Sequence, residues 1–485
     1  MVNEAGTEIE DRGVASLFNH ISGAIRPPCS QGRSRFRWAD GAACLTGKQC
    51  NQDETAAGTK CGEIMHQAMI VGVPEQREGH TISIMSQTNE LDFYGYDQQL
   101  TDAERALQAR VRAWVAERFM PRVTDCWSAH DFPMDLVREM GELGCFGATI
   151  DGYGCPGLSS RAYGLVMREL ERGDSGLRTM ASVQGALAMN AISFYGSESQ
   201  CERWLPVMAK GESLGCFGLT EPTHGSNPGG MLSTATRHGD GWLLNGEKMW
   251  IGNADVADTA IIWAKRDDLE GIDSESSRAI SGFLVPTDRA GFSASLIENK
   301  MSLRVARTSR ISMKNVEVGE DDLLPGASGL SGPLRCLDQA RYGIAWGVLG
   351  AAEACLAEAL EYVGNREVFD RPLASYQLVQ DKLAGILTRL VECTGTAHRL
   401  AELKDAGEVT GEQISLAKYA NVEMAQEAAR TCRELLGGVG ILDEHASFRH
   451  MANLESVATY EGTRDIHRLV LGRWLTGEQA FRQQP

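Results

Sequence analysis

Positive charge is what this chain has least of. Against 65 Asp and Glu stand 47 Lys and Arg, a formal net charge of −18, which argues against nucleic acid or an anionic membrane surface as the main partner. Any anionic ligand must therefore be met by locally placed Arg and Lys. No uninterrupted apolar run reaches the roughly 18 residues that a membrane span requires. The 13 Cys are odd in number and scattered, which points to reduced thiols in a cytosol-like compartment and not to a disulfide framework. Cys29, Cys44, Cys50 and Cys61 cluster, but their gaps fit no zinc spacing, so no metal is expected. No Gly-x-Gly-x-x-Gly follows a run that reads as a strand, which weighs against a Rossmann dinucleotide enzyme. The opening Met1 to Glu10 is acidic and lacks an apolar core, so it reads as neither a secretory signal nor a transit peptide. The expected location is cytoplasmic in a bacterial cell, or the mitochondrial matrix in a eukaryote.

What is present is ordinary soluble composition, 43% hydrophobic and 23% charged over 485 residues, enough for about three domains. Residues 1–84 are rich in Gly, Gln and Ser without sustained periodicity. They read as a disordered extension or an over-long start, with Met85 as a natural beginning. From 85 to 215 the pattern is helical. Thr101 and Glu104 form an expected capping box, followed by the stripe Leu107, Val111, Trp114, Val115 and Phe119. Further helical runs cover Met134–Leu143, Arg161–Arg172, Ala186–Tyr195 and Ser199–Lys210. Residues 216–328 change character to short strands. Asn245-Gly246 lies between two apolar runs and predicts a hairpin turn in a small antiparallel sheet. Residues 329–485 return to long helical segments, 334–363, 376–405 and 411–436, with Thr410 and Gln413 as a second capping box. The fold class is α+β: helices, a β domain, then a helical bundle whose long exposed faces are expected to pair with copies of themselves.

Glu461 draws attention on physical grounds alone. It follows the mostly uncharged run Ser456 to Thr459 and precedes Gly462. Partial burial would push its carboxyl upward, toward the range that a general base needs near neutral pH. A helix-end Glu with a Gly cap explains the same residues.

The wider pattern separates these readings. Tyr460-Glu461-Gly462-Thr463, Cys216 to Asn227, Asn245 to Asn253 and Leu436-Gly437-Gly438-Val439-Gly440 resemble, in order, the signature segments of the acyl-CoA dehydrogenases. The resemblance runs from about residue 95 to the C-terminus. It implies that family's fold, a homotetramer, FAD as cofactor, an acyl-CoA substrate and an electron-transfer flavoprotein as acceptor. It implies Glu461 as the base that takes the α proton while the β hydride passes to flavin N5. The backbone N–H of Glu461 and a flavin hydroxyl are expected on the thioester oxygen. Proteins have no side chain that accepts hydride, so a cofactor is required for such chemistry.

By family position, Phe217, Leu219 and Thr220 lie along the flavin ring, with Trp250 over its other side; a core aromatic of the β domain is the alternative for Trp250. Gly252 stands where relatives carry Ser or Thr. Ser226 is expected at the CoA portion. Arg366, Phe369 and Gln377 resemble the segment that reaches the FAD of a neighbouring subunit, although Arg366 alone reads as a solvated helix residue. Glu434, Gly437, Gly438, Thr463 and Asp465 complete the implied cofactor contacts. Arg341 reads equally as a site residue or a structural salt bridge.

Within the family, Glu171 to Ser182 resembles the members that oxidise glutaryl-CoA. There an Arg, here Arg178, grips the distal carboxylate, helped by Thr179 and Ser182. An unpaired Arg on a pocket floor is costly to bury, so a partner is required; internal pairing with Glu171 or Asp174 is the alternative. Glu171 and Tyr460 match residues of decarboxylating members, which implies conversion to crotonyl-CoA and CO2. A short- or branched-chain acyl-CoA dehydrogenase, an acyl-CoA oxidase, or a non-enzymatic flavin-binding scaffold are the competing readings.

Overall fold

The computed structural model describes residues 91–481. The N-terminal extension, its Cys cluster and the start expected at Met85 lie outside the described residues. Seven helices come first: α1 (Asp102–Trp114), α2 (Val123–Ala129), α3 (Val137–Glu142), α4 (Ser160–Gly173), α5 (Ser175–Ala181), α6 (Asn190–Tyr195) and α7 (Glu198–Ala209). The box at Thr101 forms: its hydroxyl accepts from the Glu104 N–H while the Glu104 carboxylate accepts from the Thr101 N–H at 2.9 Å. Between α5 and α6 the chain stays helical but widens to π geometry over Ser182–Met189, so Ser175 to Tyr195 is one rod. Sequence periodicity shows only its second half. Such local widening is frequent at functional sites.

The sheet contains β1 (Gly215–Gly218), β2 (Thr234–His238), β3 (Gly241–Gly252), β4 (Thr259–Arg266), β5 (Ile280–Pro286), β6 (Phe292–Leu296) and β7 (Thr308–Gly319). Two expectations are corrected here. First, Asn245-Gly246 is not a turn. Residues 241–252 form one strand with a register shift between Leu244 and Gly246. Gly246 has φ +140°, and a Cβ there would come within 2.4 Å of the Ser233 hydroxyl; the pair therefore makes a bulge, where an extra residue bends a strand without ending it. Second, the sheet is mixed. β4 is paired in parallel by β1 and by the start of β2, and antiparallel by β5, while the β2–β3–β7–β6 run is antiparallel.

Side-chain alternation divides β4 between two cores. Ile261 and Trp263 join Phe217 in the core shared with the helices, while Ala260, Ile262 and Ala264 join Trp242 and Phe283 on the other face. The sheet is thus fixed against the helices through β1 and β4, the strands next to the site.

The C-terminal bundle comprises α8 (Ser331–Asn365), α9 (Gln377–Asp405), α10 (Gly411–Leu435), α11 (Ala446–Thr459) and α12 (Arg464–Thr476), with a two-residue ribbon of β8 (Glu367–Val368) and β9 (Arg371–Pro372) after α8. α8 is buried along most of its length, so it is apolar all round instead of striped. It packs so closely on α4 that a Cβ at Gly347 would sit 2.1 Å from the Glu171 Oε2. Thr410 and Gln413 form the second capping box as expected.

Candidate active site

α11 stops at Thr459, and Thr463 caps α12 by accepting from the Ile466 N–H at 3.3 Å. The short link between them presents the base candidate. Tyr460 is extended, whereas Glu461 (φ +52°) and Gly462 (φ +99°) are left-handed. The Glu461 Oε2 is buried with no hydrogen-bond partner among the described residues. Burial pushes its carboxyl up to about 7, with Arg178, Arg341 and Lys418 pulling the other way. Among the described residues, the Glu461 N–H finds no acceptor, so a free donor lies on the same residue as the base. A helix-end Glu capped by Gly would show neither the buried carboxyl nor the cations around it.

Arg178 lies on α5 and is 1% exposed. Its Nε donates to the Glu171 Oε2 at 2.8 Å and its Nη2 to the Tyr460 hydroxyl. The internal pairing given as the alternative is present: Glu171, itself fully buried, neutralises the guanidinium, as a buried guanidinium demands. Among the described residues its Nη1 has no partner. The guanidinium also lies 5.5 Å from the centre of the Tyr460 ring. Burial raises the Tyr460 phenol to about 12, with Arg178 opposing, so it stays protonated at neutral pH. Thr179 donates to the Ser175 carbonyl at 2.7 Å, and the Ser182 hydroxyl is buried without a partner among the described residues. The Nε of Arg341 donates to the Glu461 carbonyl at 2.8 Å while its Nη1 pairs with Asp338 at 2.9 Å.

Three residues near this group were not found from sequence. Lys418 on α10 is 1% exposed, and its Nζ donates to the carbonyls of Tyr460 and Gly462 at 3.1 and 2.9 Å. Its signal was a lysine inside the buried stripe Ile414, Ala417, Asn421 and Ala425. The phenol of Tyr163 on α4 is buried, without a partner among the described residues, and in the field of Glu461 and Arg178. His467 is 1% exposed, with both ring nitrogens unpartnered among the described residues, and would lie 2.8 Å from a Cβ at Gly462. Burial pushes it down to about 3, so it is neutral.

The residues expected at a flavin fall into two sets. Phe217 and Leu219 are buried at the end of β1, and the carbonyl of half-buried Thr220 accepts from the Met249 N–H at 2.9 Å. Trp250, next in line, is 58% exposed at φ +64°, which removes the core-aromatic alternative. A Cβ at Gly252 would come within 2.8 Å of the Val183 Cγ2, so Val183 occupies space that a side chain at 252 would need. Ser226 is exposed in the loop beyond β1. At Gly437 (φ +62°) and Gly438 an added Cβ would meet nothing within 4 Å. An exposed indole on strained backbone beside a buried apolar strand end, with open glycine backbone available, fits a flat cofactor with a polar tail.

The second set lies mostly at the surface. Arg366, Phe369 (85% exposed, φ +50°) and Gln377 stand exposed on the β8–β9 ribbon and at the start of α9. Glu434 pairs at the surface with Lys382 at 2.7 Å. The Thr463 hydroxyl is engaged in capping, and Asp465 is exposed in the first turn of α12.

Family models for the N-terminal, middle and C-terminal domains of acyl-CoA dehydrogenases match residues 101–212, 216–316 and 327–476. The short-chain specific acyl-CoA dehydrogenase of Bos taurus mitochondria is 32% identical over 376 residues, which are 77% of this chain and 90% of that one. A glutaryl-CoA dehydrogenase from Mycobacterium smegmatis, solved in complex with FADH2, is 48% identical with a TM-score of 0.78, covering 81% of this chain and 99% of its own. A glutaryl-CoA dehydrogenase solved with glutaryl-CoA is 30% identical with a TM-score of 0.74, covering 80% and 98%. The chain belongs to the acyl-CoA dehydrogenase family.

Proposed function

We propose that this chain oxidises glutaryl-CoA and releases CO2 to give crotonyl-CoA. Glu461 takes the proton from Cα; its raised pKa suits it to take that proton and later return it. The free Glu461 N–H donates to the thioester oxygen as charge develops there. FAD, when bound, would supply the acceptor for the hydride that leaves Cβ. Phe217, Leu219, Thr220 and Trp250 would hold its ring, with the Gly437-Gly438 backbone along its tail. Once Cα and Cβ are joined by a double bond, the C–CO2 bond breaks with its electron pair delocalised into the thioester. The proton held by Glu461 then goes to Cγ. Two electrons leave with the hydride, and the remaining atoms are those of crotonyl-CoA and CO2.

The observation that carries the diacid reading is Arg178, buried beside Tyr460 with its Nη1 unused among the described residues. A substrate carboxylate is the acceptor that this donor lacks, and the Glu171–Tyr460 brace keeps the guanidinium plane fixed to receive it. The 48% identity to the M. smegmatis enzyme supports the same reading. A short-chain dehydrogenase is the second reading: Arg178 with Glu171 is already neutral as a pair, and the bovine short-chain relative is 32% identical. Incubating the yellow protein with glutaryl-CoA or butyryl-CoA and an artificial electron acceptor separates them. Crotonyl-CoA and CO2 from glutaryl-CoA, at a higher kcat/KM than butyryl-CoA oxidation, supports the proposal. Faster butyryl-CoA turnover refutes it, and glutaconyl-CoA as the product refutes the decarboxylation step. A homotetramer passing electrons to an electron-transfer flavoprotein is part of the same proposal.

A further inference from the structure

The carboxylate that acts as base stands on backbone that L-residues avoid. A non-Gly residue in the left-handed region costs on the order of 1–3 kcal/mol and persists only where its surroundings hold it, and Glu461 at φ +52° is followed by Gly462 at +99°. Three successive carbonyls of this turn are held by cations. Lys418 donates to those of Tyr460 and Gly462, at 3.1 and 2.9 Å, and Arg341 to that of Glu461 between them, at 2.8 Å. The two cations come from different helices, α10 and α8. Arg341 has Asp338 as a counter-ion; Lys418 has no carboxylate within ion-pair distance among the described residues and makes no other hydrogen bond. A buried ammonium without a counter-ion is costly: burial pushes Lys418 down to about 7, with Glu461 opposing, and two backbone carbonyls do not neutralise the charge it carries. The charge it leaves uncompensated lies beside the one carboxyl that must ionise to react.

We infer that Lys418 is a positioning residue for Glu461: its clasp on the two flanking carbonyls fixes the turn that aims the carboxylate, and its charge favours the ionised base. This rests on the reading of Glu461 as base. The charged and titratable groups facing Glu461 are Arg178 from α5, Tyr163 from α4, Arg341 from α8, Lys418 from α10, and neutral His467 from α12. Of these, Lys418 alone bonds the backbone on both sides of the base.

The test compares flavin-loaded wild type with Lys418→Met and Lys418→Gln, normalised to bound flavin, over the full pH range with glutaryl-CoA. Lys418→Met is expected to lower kcat by about 100-fold, the loss typical of a misplaced catalytic group, with KM changed only a few-fold. Removing a cation beside a carboxylate raises the carboxylate pKa, so the acid limb of kcat/KM moves to higher pH. Lys418→Gln keeps a hydrogen-bond donor without the charge. It should recover part of kcat while the acid limb stays displaced, and it decides the matter on its own if the Met variant fails to bind flavin. Variants that keep wild-type kcat and an unmoved acid limb overturn the inference. The parent reading fails differently: turnover retained by Glu461→Gln removes the base itself, whereas an inactive Glu461→Gln beside wild-type-like Lys418 variants sinks only the role given to Lys418.

Discussion

Replacing Arg178 by Met tests the substrate reading most directly. A hydrogen bond to a charged partner is worth about 1.5–3 kcal/mol net. At about 1.4 kcal/mol per factor of ten, the loss is about 10- to 100-fold in kcat/KM for glutaryl-CoA. Folding complicates the raw rate. Arg178 and Glu171 are both buried and lie 2.8 Å apart, so Met at 178 strands a carboxylate, and breaking a buried pair typically destabilises by about 3–5 kcal/mol. Two controls separate the effects. The ratio of kcat/KM for glutaryl-CoA to that for butyryl-CoA, measured on one preparation with an artificial acceptor, cancels any inactive fraction. The double variant Arg178→Met/Glu171→Gln removes the stranded charge, and should recover thermal stability without recovering the ratio. A ratio that stays at the wild-type value in both variants refutes the carboxylate grip, because the only contact unique to the diacid would then carry no energy.

The other predictions concern the base and the packing around it. Glu461→Gln should abolish oxidation while leaving flavin bound, which the absorbance spectrum and turnover check together. Because burial raises the folded-state pKa of Glu461 to about 7 from 4.5, its contribution to stability is full below 4.5 and lost as pH rises through 7. Glu461→Gln should therefore melt higher than wild type at pH 8 and no higher at pH 4. In the wild type, kcat/KM should fall as pH drops through about 7; an acid limb near 4.5 would contradict the burial seen here. Gly347→Ala puts a Cβ 2.1 Å from the Glu171 Oε2. The overpacking should cost about 1–3 kcal/mol in chemical denaturation and lower the diacid preference by displacing the brace of Arg178. Lys248 and Glu221 form a buried pair at 2.9 Å in the sheet, so Lys248→Met should destabilise by about 3–5 kcal/mol, with most of that restored by adding Glu221→Gln.

What the sequence made visible follows from the range of each interaction. The capping boxes at Thr101 and Thr410 are set by residues three apart, and they form as read. Asn245-Gly246 has equally local chemistry but a different outcome, because the Ser233 hydroxyl approaches Gly246 and the strand continues through a bulge to Gly252. Position in a sheet, and not the dipeptide, decided between turn and bulge. The site divides in the same way. Glu461, Tyr460 and the Glu171–Arg178 segment stood out as residue types in a recognisable order, but the closing of Arg178 on Glu171 was only one of two readings, since it depends on the extended break at Asp174 that separates α4 from α5. Lys418 was harder still, because it lies 43 residues before the base in the chain and meets it only where α10 passes beneath the turn between α11 and α12. Its one trace in the sequence is a charge in a stripe that should have been apolar. A charged residue in a buried stripe must satisfy itself locally or through distant backbone, and the distant backbone that Lys418 satisfies is the left-handed turn carrying Glu461.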